Sequence, residues 1–84
     1  MLYYLILCRS LTYAQRTAAA LERAGIIGNI MRSPKSIAGD GCGHSVRISQ
    51  RNLTMALEVL RQAELSPKRV FAAEGNGVYR EVAL

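Results

Sequence analysis

Six consecutive apolar residues near the start, Leu2-Tyr3-Tyr4-Leu5-Ile6-Leu7, constrain this chain more than any other stretch. The run is of strand length and rich in strand-forming side chains, so it predicts a buried central strand. A strand of that kind needs neighbours and covering helices, and the order of the later segments says which.

Ser10 or Thr12 then offers a helix N-cap, and Thr12 with Gln15 fits a capping box. Leu11, Ala14, Ala18, Leu21 and Ala24 follow at helical spacing, and Gly25 closes the helix as a C′ residue would. Ile26–Met31 returns to strand character until Ser33-Pro34, where proline ends the ladder. Residues 33–43 read as a loop containing Gly39, Gly41 and Gly43. His44–Ile48 alternates as a third strand, and Ser49 caps a second helix striped by Leu53, Ala56, Leu57 and Leu60. Ser66-Pro67 stops that helix. Val70–Ala73 makes a fourth strand, and Gly75-Asn76-Gly77 turns the chain into Val78–Val82 as a terminal hairpin.

The order β-α-β-β-α-β is the ferredoxin-like split βαβ plan of the α+β class. It predicts an antiparallel sheet ordered 4-1-3-2, two helices on one face, and an extra C-terminal hairpin strand. At 84 residues the whole chain, 1–84, is a single domain. Half of it is apolar, enough for the core of so short a chain. No apolar run approaches the roughly 18 residues of a membrane span. Met1–Leu7 lacks the basic start and small-residue cleavage site of a signal peptide. The expectation is therefore a cytoplasmic protein with reduced thiols, and two cysteines are too few for a disulfide scaffold.

Eleven Lys and Arg against six Asp and Glu leave a net charge of +5, which favours anionic partners. The basic residues are dispersed, and part of that charge is ordinary solvated surface.

The topology also predicts where chemistry would gather. Strand 1 ends at Cys8, and its antiparallel neighbour begins just after Cys42. The two thiols are thus expected at one end of the sheet, with His44, Arg9, Arg32, Lys35 and the start of the first helix. Helix N-termini and basic side chains favour anions and shift a thiol toward its reactive thiolate. Gly41 and Gly43 flank Cys42 and leave its sulfur open to another molecule. Cys8, closing an apolar strand, also fits a small buried hydrophobe. Gly-Asp-Gly-Cys-Gly opens no helix and is not a phosphate-binding fingerprint.

Ser33-Pro34-Lys35-Ser36-Ile37 followed by Cys42-Gly43 entering a strand resembles the signature of a small bacterial family, the Se/S carrier protein-like domains. The similarity runs over roughly residues 3–65 and includes Ala14 and Leu21 of the helix and Gly25-Ile26 after it. Lys35 stands where the family usually has Arg, Arg32 where a first Pro is common, and Ala18 where Glu is frequent. Phe is commoner than Cys at the position of Cys8. The resemblance implies a sulfur or selenium carrier in which Cys42 accepts a persulfide or selenosulfide from a cysteine desulfurase-like or selenium-donating protein and passes it to an acceptor. Arg32, Lys35, His44 and Arg9 would stabilise the anionic form, with Gly41, Gly43 and Cys8 in support. Such a protein is a carrier without turnover of its own and needs no cofactor.

Three rivals stand beside that reading. RNA-recognition domains share this topology, but the third strand, His44-Ser45-Val46-Arg47-Ile48, lacks their stacking aromatics, so nucleic acid is not the expected partner. Cys8, Cys42 and His44 could bind a metal, though at spacing unlike any zinc motif. A regulatory or interaction domain would pair its edge strands with a partner, including a second copy of itself.

Overall fold

Ser10 starts the first helix. Its backbone is extended, and its Oγ accepts a hydrogen bond from the Tyr13 amide at 3.1 Å. That satisfies one of the donors a first helical turn leaves unpaired. In the computed structural model, which describes residues 2–39 and 43–84, this helix is α1 (Leu11–Arg23), so Thr12 lies inside the helix and not at its cap. Strand β1 (Tyr3–Cys8) precedes it.

α1 ends in a Schellman motif. The Gly25 amide donates to the Glu22 carbonyl and the Ile26 amide to the Leu21 carbonyl, with Gly25 at φ +83°. Both Ile26 and Leu21 are buried, the apolar contact that accompanies such a cap. Ile26 therefore belongs to the helix end, and strand β2 covers only Asn29–Arg32, not Ile26–Met31. The helix presents Ala14, Thr17, Ala20 and Leu21 to the core, a face rotated from the anticipated one, while Leu11 and Ala24 are exposed. Thr17 can sit there because its hydroxyl has a partner, the Cys8 thiol at 3.9 Å.

The chain continues through a single turn α2 (Lys35–Ala38), β3 (His44–Ser49), a 3₁₀ turn (Gln50–Asn52), α3 (Leu53–Gln62), β4 (Val70–Gly75) and β5 (Val78–Val82). Ser49 ends β3 and makes no side-chain cap, so the 3₁₀ turn separates it from α3. α3 stops before Ser66-Pro67, at a second Schellman motif in which Glu64 takes φ +59° and Leu65 donates to Leu60.

All five strands form one antiparallel sheet in the order β2-β3-β1-β4-β5. Read from the other edge, the order is β5-β4-β1-β3-β2. β1 pairs with β3 from Tyr3↔Ser49 to Cys8↔His44. Tyr4, Ile6 and Cys8 project to one face, where Ala14, Leu21, Ala56 and Leu60 from α1 and α3 close the main core with Val46 and Val70. Gly28 admits the chain to this packing: a Cβ there would lie 2.7 Å from Val46 Cγ1 and 3.3 Å from Leu21 Cδ1.

The two long helices share that face, but the opposite face is not bare. Leu5 and Phe71 are buried on it under Ile37 of α2, with Tyr3, Leu7, Met31 and Tyr79 around them. The segment anticipated as pure loop thus contains a third helix, and it covers the second face. Arg47 stacks on Tyr3 at 4.3 Å and Arg69 on Phe71 at 5.0 Å, extending the cover. No helix among the described residues is long and apolar enough to cross a membrane.

Candidate functional site

The connection from β2 to β3 carries Cys42, and its two ends are tied down from the sequence upward. Pro34 cannot extend the β2 ladder, and the chain turns into α2 there. Just before it, the Ser33 amide donates to the Gly43 carbonyl at 3.0 Å. The Ser33 and Ser45 hydroxyls share a hydrogen bond of 2.6 Å, which satisfies the fully buried Ser45. Ile37 then anchors the middle of the segment in the apolar cluster over β1 and β4. Gly39 follows at φ +62°, a conformation that favours glycine. Cys42 and Gly41 lie outside the described residues.

Gly43 packs closely at the base of this connection. A Cβ on it would stand 3.3 Å from the Cys8 carbonyl oxygen and 3.5 Å from Ser33 Oγ. The next residue, His44, pairs with Cys8 on one side and Arg32 on the other. Directly paired residues of an antiparallel sheet share a face, so Arg32, His44 and Cys8 form one row at the sheet end where α1 begins. Arg32 is exposed and His44 half-buried. The His44 Nδ1 is buried and has no hydrogen-bond partner among the described residues. Burying such an atom unpaired costs about 1–3 kcal/mol.

The other basic residues anticipated here lie off this row. Lys35 opens α2, exposed, over the opposite face of the sheet. Arg9 is exposed beyond β1, with its guanidinium 4.9 Å from the centre of the Tyr13 ring.

Cys8 differs sharply from an activated thiol. It is 2% exposed, and its sulfur faces the Ile6 carbonyl at 3.6 Å and Thr17 Oγ1 at 3.9 Å. Burial pushes its thiol above the ordinary range, with the Thr17 hydroxyl pulling the other way. Cys8 is a core residue that stays protonated at neutral pH. Among the described residues no three His, Cys, Asp or Glu side chains gather in a way that could hold a metal ion.

Sequence reasoning missed the Ser33–Ser45 clasp and Ile37. The pairing of β2 with β3 reveals the first and the packing of α2 on the sheet the second, and neither leaves a periodic signal in the sequence. It also missed Lys68 and Arg69, which the return from α3 brings beside the end of β1.

The fold and its site define an α+β domain with one core thiol and a second cysteine on a clasped connection between two strands. The chain belongs to the family described as "Putative Se/S carrier protein-like", whose model matches residues 3–72. No curated protein and no solved structure matches it.

Proposed function

We propose that this protein carries sulfur or selenium on Cys42, as a persulfide or selenosulfide handed over by one protein and delivered to another. The observation that carries the reading is the state of the other thiol. The chain has two cysteines, and Cys8 is closed in the core with its proton held on. A carrier in this family then has Cys42 for its cargo. The thiol sits in sequence directly before Gly43, whose surroundings are the clasp with Ser33 and the row containing His44 and Arg32.

The transfer balances without any oxidant. The Cys42 thiolate attacks the terminal sulfur of a donor protein's cysteine persulfide. The donor's S–S bond breaks, its electron pair stays on the donor cysteine as thiolate, and a new S–S bond forms on Cys42. The proton lost by Cys42 is available to the departing thiolate or to solvent. Selenium in the terminal position follows the same course. A persulfide is a stronger acid than a thiol and travels as the anion, which Arg32, Lys35 and Arg9 favour through charge and to which the His44 imidazole can donate a hydrogen bond. Cysteine desulfurases generate donors of this type.

Intact-mass spectrometry of protein purified without reductant tests the reading. The expected result is a fraction heavier by one sulfur or selenium atom, reversed by reductant and absent from Cys42→Ser. Additional mass that remains in Cys42→Ser and maps to Cys8 would overturn it.

A further inference from the structure

A second feature at the same end of the sheet does not draw on the Cys42 thiol. Where β1 ends, a cleft of about 190 Å³ opens between α1 and the connection from α3 to β4. Leu7, Cys8, Tyr13 and Pro67 give it apolar walls, and Arg9, Lys68 and Arg69 stand around them. No acidic residue among the described ones lines it. The wall on the β4 side is fastened to β1 by the Leu7 amide, which donates to the Arg69 carbonyl at 3.1 Å.

The three cations are not equivalent. Glu81 engages Arg69 through two hydrogen bonds, at 3.1 and 2.9 Å. Among the described residues Arg9 and Lys68 have no carboxylate partner. Both are exposed, and they belong to opposite walls, Arg9 to the β1–α1 connection and Lys68 to the α3–β4 connection.

Size and charge together select the occupant. An apolar cavity of roughly 150 Å³ holds one benzene ring, whereas sites for cofactors and other large ligands occupy about 300–1,000 Å³. The cleft therefore suits one aromatic or large aliphatic side chain. Arg9, stacked on Tyr13, and Lys68 lack a carboxylate partner among the described residues and stand on opposite walls, placed to meet negative charges that remain outside the cleft. That is the pattern of an extended peptide with an apolar anchor flanked by carboxylates. We infer that this cleft docks an acidic segment of a partner protein, seating one aromatic or large aliphatic side chain between Arg9 and Lys68.

The test is a titration of the isotope-labelled full chain, followed by amide chemical shifts, with the blocked peptide Asp-Glu-Phe-Glu-Asp. Saturable shifts at Leu7, Arg9, Tyr13, Lys68 and Arg69 are expected. A peptide with Ala in place of Phe, and one with Asn and Gln in place of the acids, should each bind more weakly. Exposed ion pairs contribute up to about 1 kcal/mol, so Lys68→Glu should weaken binding about fivefold. A peptide with Lys on one flank should recover part of that loss. Cys42→Ser should bind like the parent chain, which separates this inference from the sulfur-carrier reading. Shifts elsewhere, equal binding of the Ala peptide, indifference to Lys68→Glu, or equally tight binding of phenylacetate alone would each overturn it.

Discussion

Ile37→Ala probes the anchoring of the segment that bears Cys42. Ile37 is 7% exposed and packs with Leu5 and Phe71, themselves 0% and 5% exposed. Truncation beyond Cβ removes about 2.4 kcal/mol of transfer free energy, at about 0.8 kcal/mol per carbon. A rigid cavity would raise the cost toward about 5 kcal/mol. α2 is only four residues long and is followed by Gly39, so it can settle into the space, and the loss should stay near 2–3 kcal/mol. In urea unfolding followed by circular dichroism, the midpoint should fall with the slope unchanged. The thermal midpoint should drop by roughly 10 °C or more for a domain of this size. A loss below about 0.5 kcal/mol, the range of ordinary surface substitutions, would show that α2 merely rests on the sheet and that the connection is not anchored through Ile37.

Gly28→Ala should cost about 1–3 kcal/mol in the same unfolding assay, the usual penalty of overpacking, because its Cβ would meet Val46 Cγ1 at 2.7 Å; a neutral result would refute the close approach. Glu64→Gly should stabilise the protein by about 0.5–1 kcal/mol, since Glu64 holds φ +59° at the end of α3, where glycine carries no steric penalty. The pH dependence of stability should show Cys8. Its folded-state pKa is raised by burial, so its contribution is complete below the ordinary thiol range and is lost as pH rises through the folded value. Cys8→Ala should flatten that alkaline fall. Below neutrality the sign reverses for Glu58, Glu74 and Glu81, held below the usual carboxylate range chiefly by hydrogen bonds from Arg61, Arg80 and Arg69. Their contributions are present above that range and disappear as pH falls through their lowered values, a slope that added salt should shrink.

Much of the architecture was legible because it rests on local signals. The run ending at Leu7 marked the central strand, Gly25 marked the end of α1, and Gly75-Asn76-Gly77 marked the final turn, where all three residues take positive φ. The antiparallel partnership of β1 and β3 followed from the element order, and with it the row of Cys8, His44 and Arg32. What escaped depends on contacts remote in sequence. Lys35–Ala38 is one helical turn, too short for a period, and Ile37 is buried only because β1 and β4 lie beneath it. Thr17 faces the core, where a polar residue is not expected, because Cys8 arrives to satisfy it. The strand start at Ile26 was misjudged because an apolar residue after a helix can close a Schellman motif as readily as open a strand. The cleft beside Cys8 was illegible for the same reason, since Lys68 reaches it only through the return of the chain to β4.

The central claim, that Cys42 bears the cargo, is met most directly by transfer of labelled sulfur. A cysteine desulfurase supplied with radiolabelled cysteine is mixed with the parent chain, Cys8→Ala and Cys42→Ser, and each chain is separated without reductant. The account predicts label on the parent and on Cys8→Ala, released by reductant, and none on Cys42→Ser. Label retained by Cys42→Ser, or lost from Cys8→Ala while that variant remains folded, would contradict it.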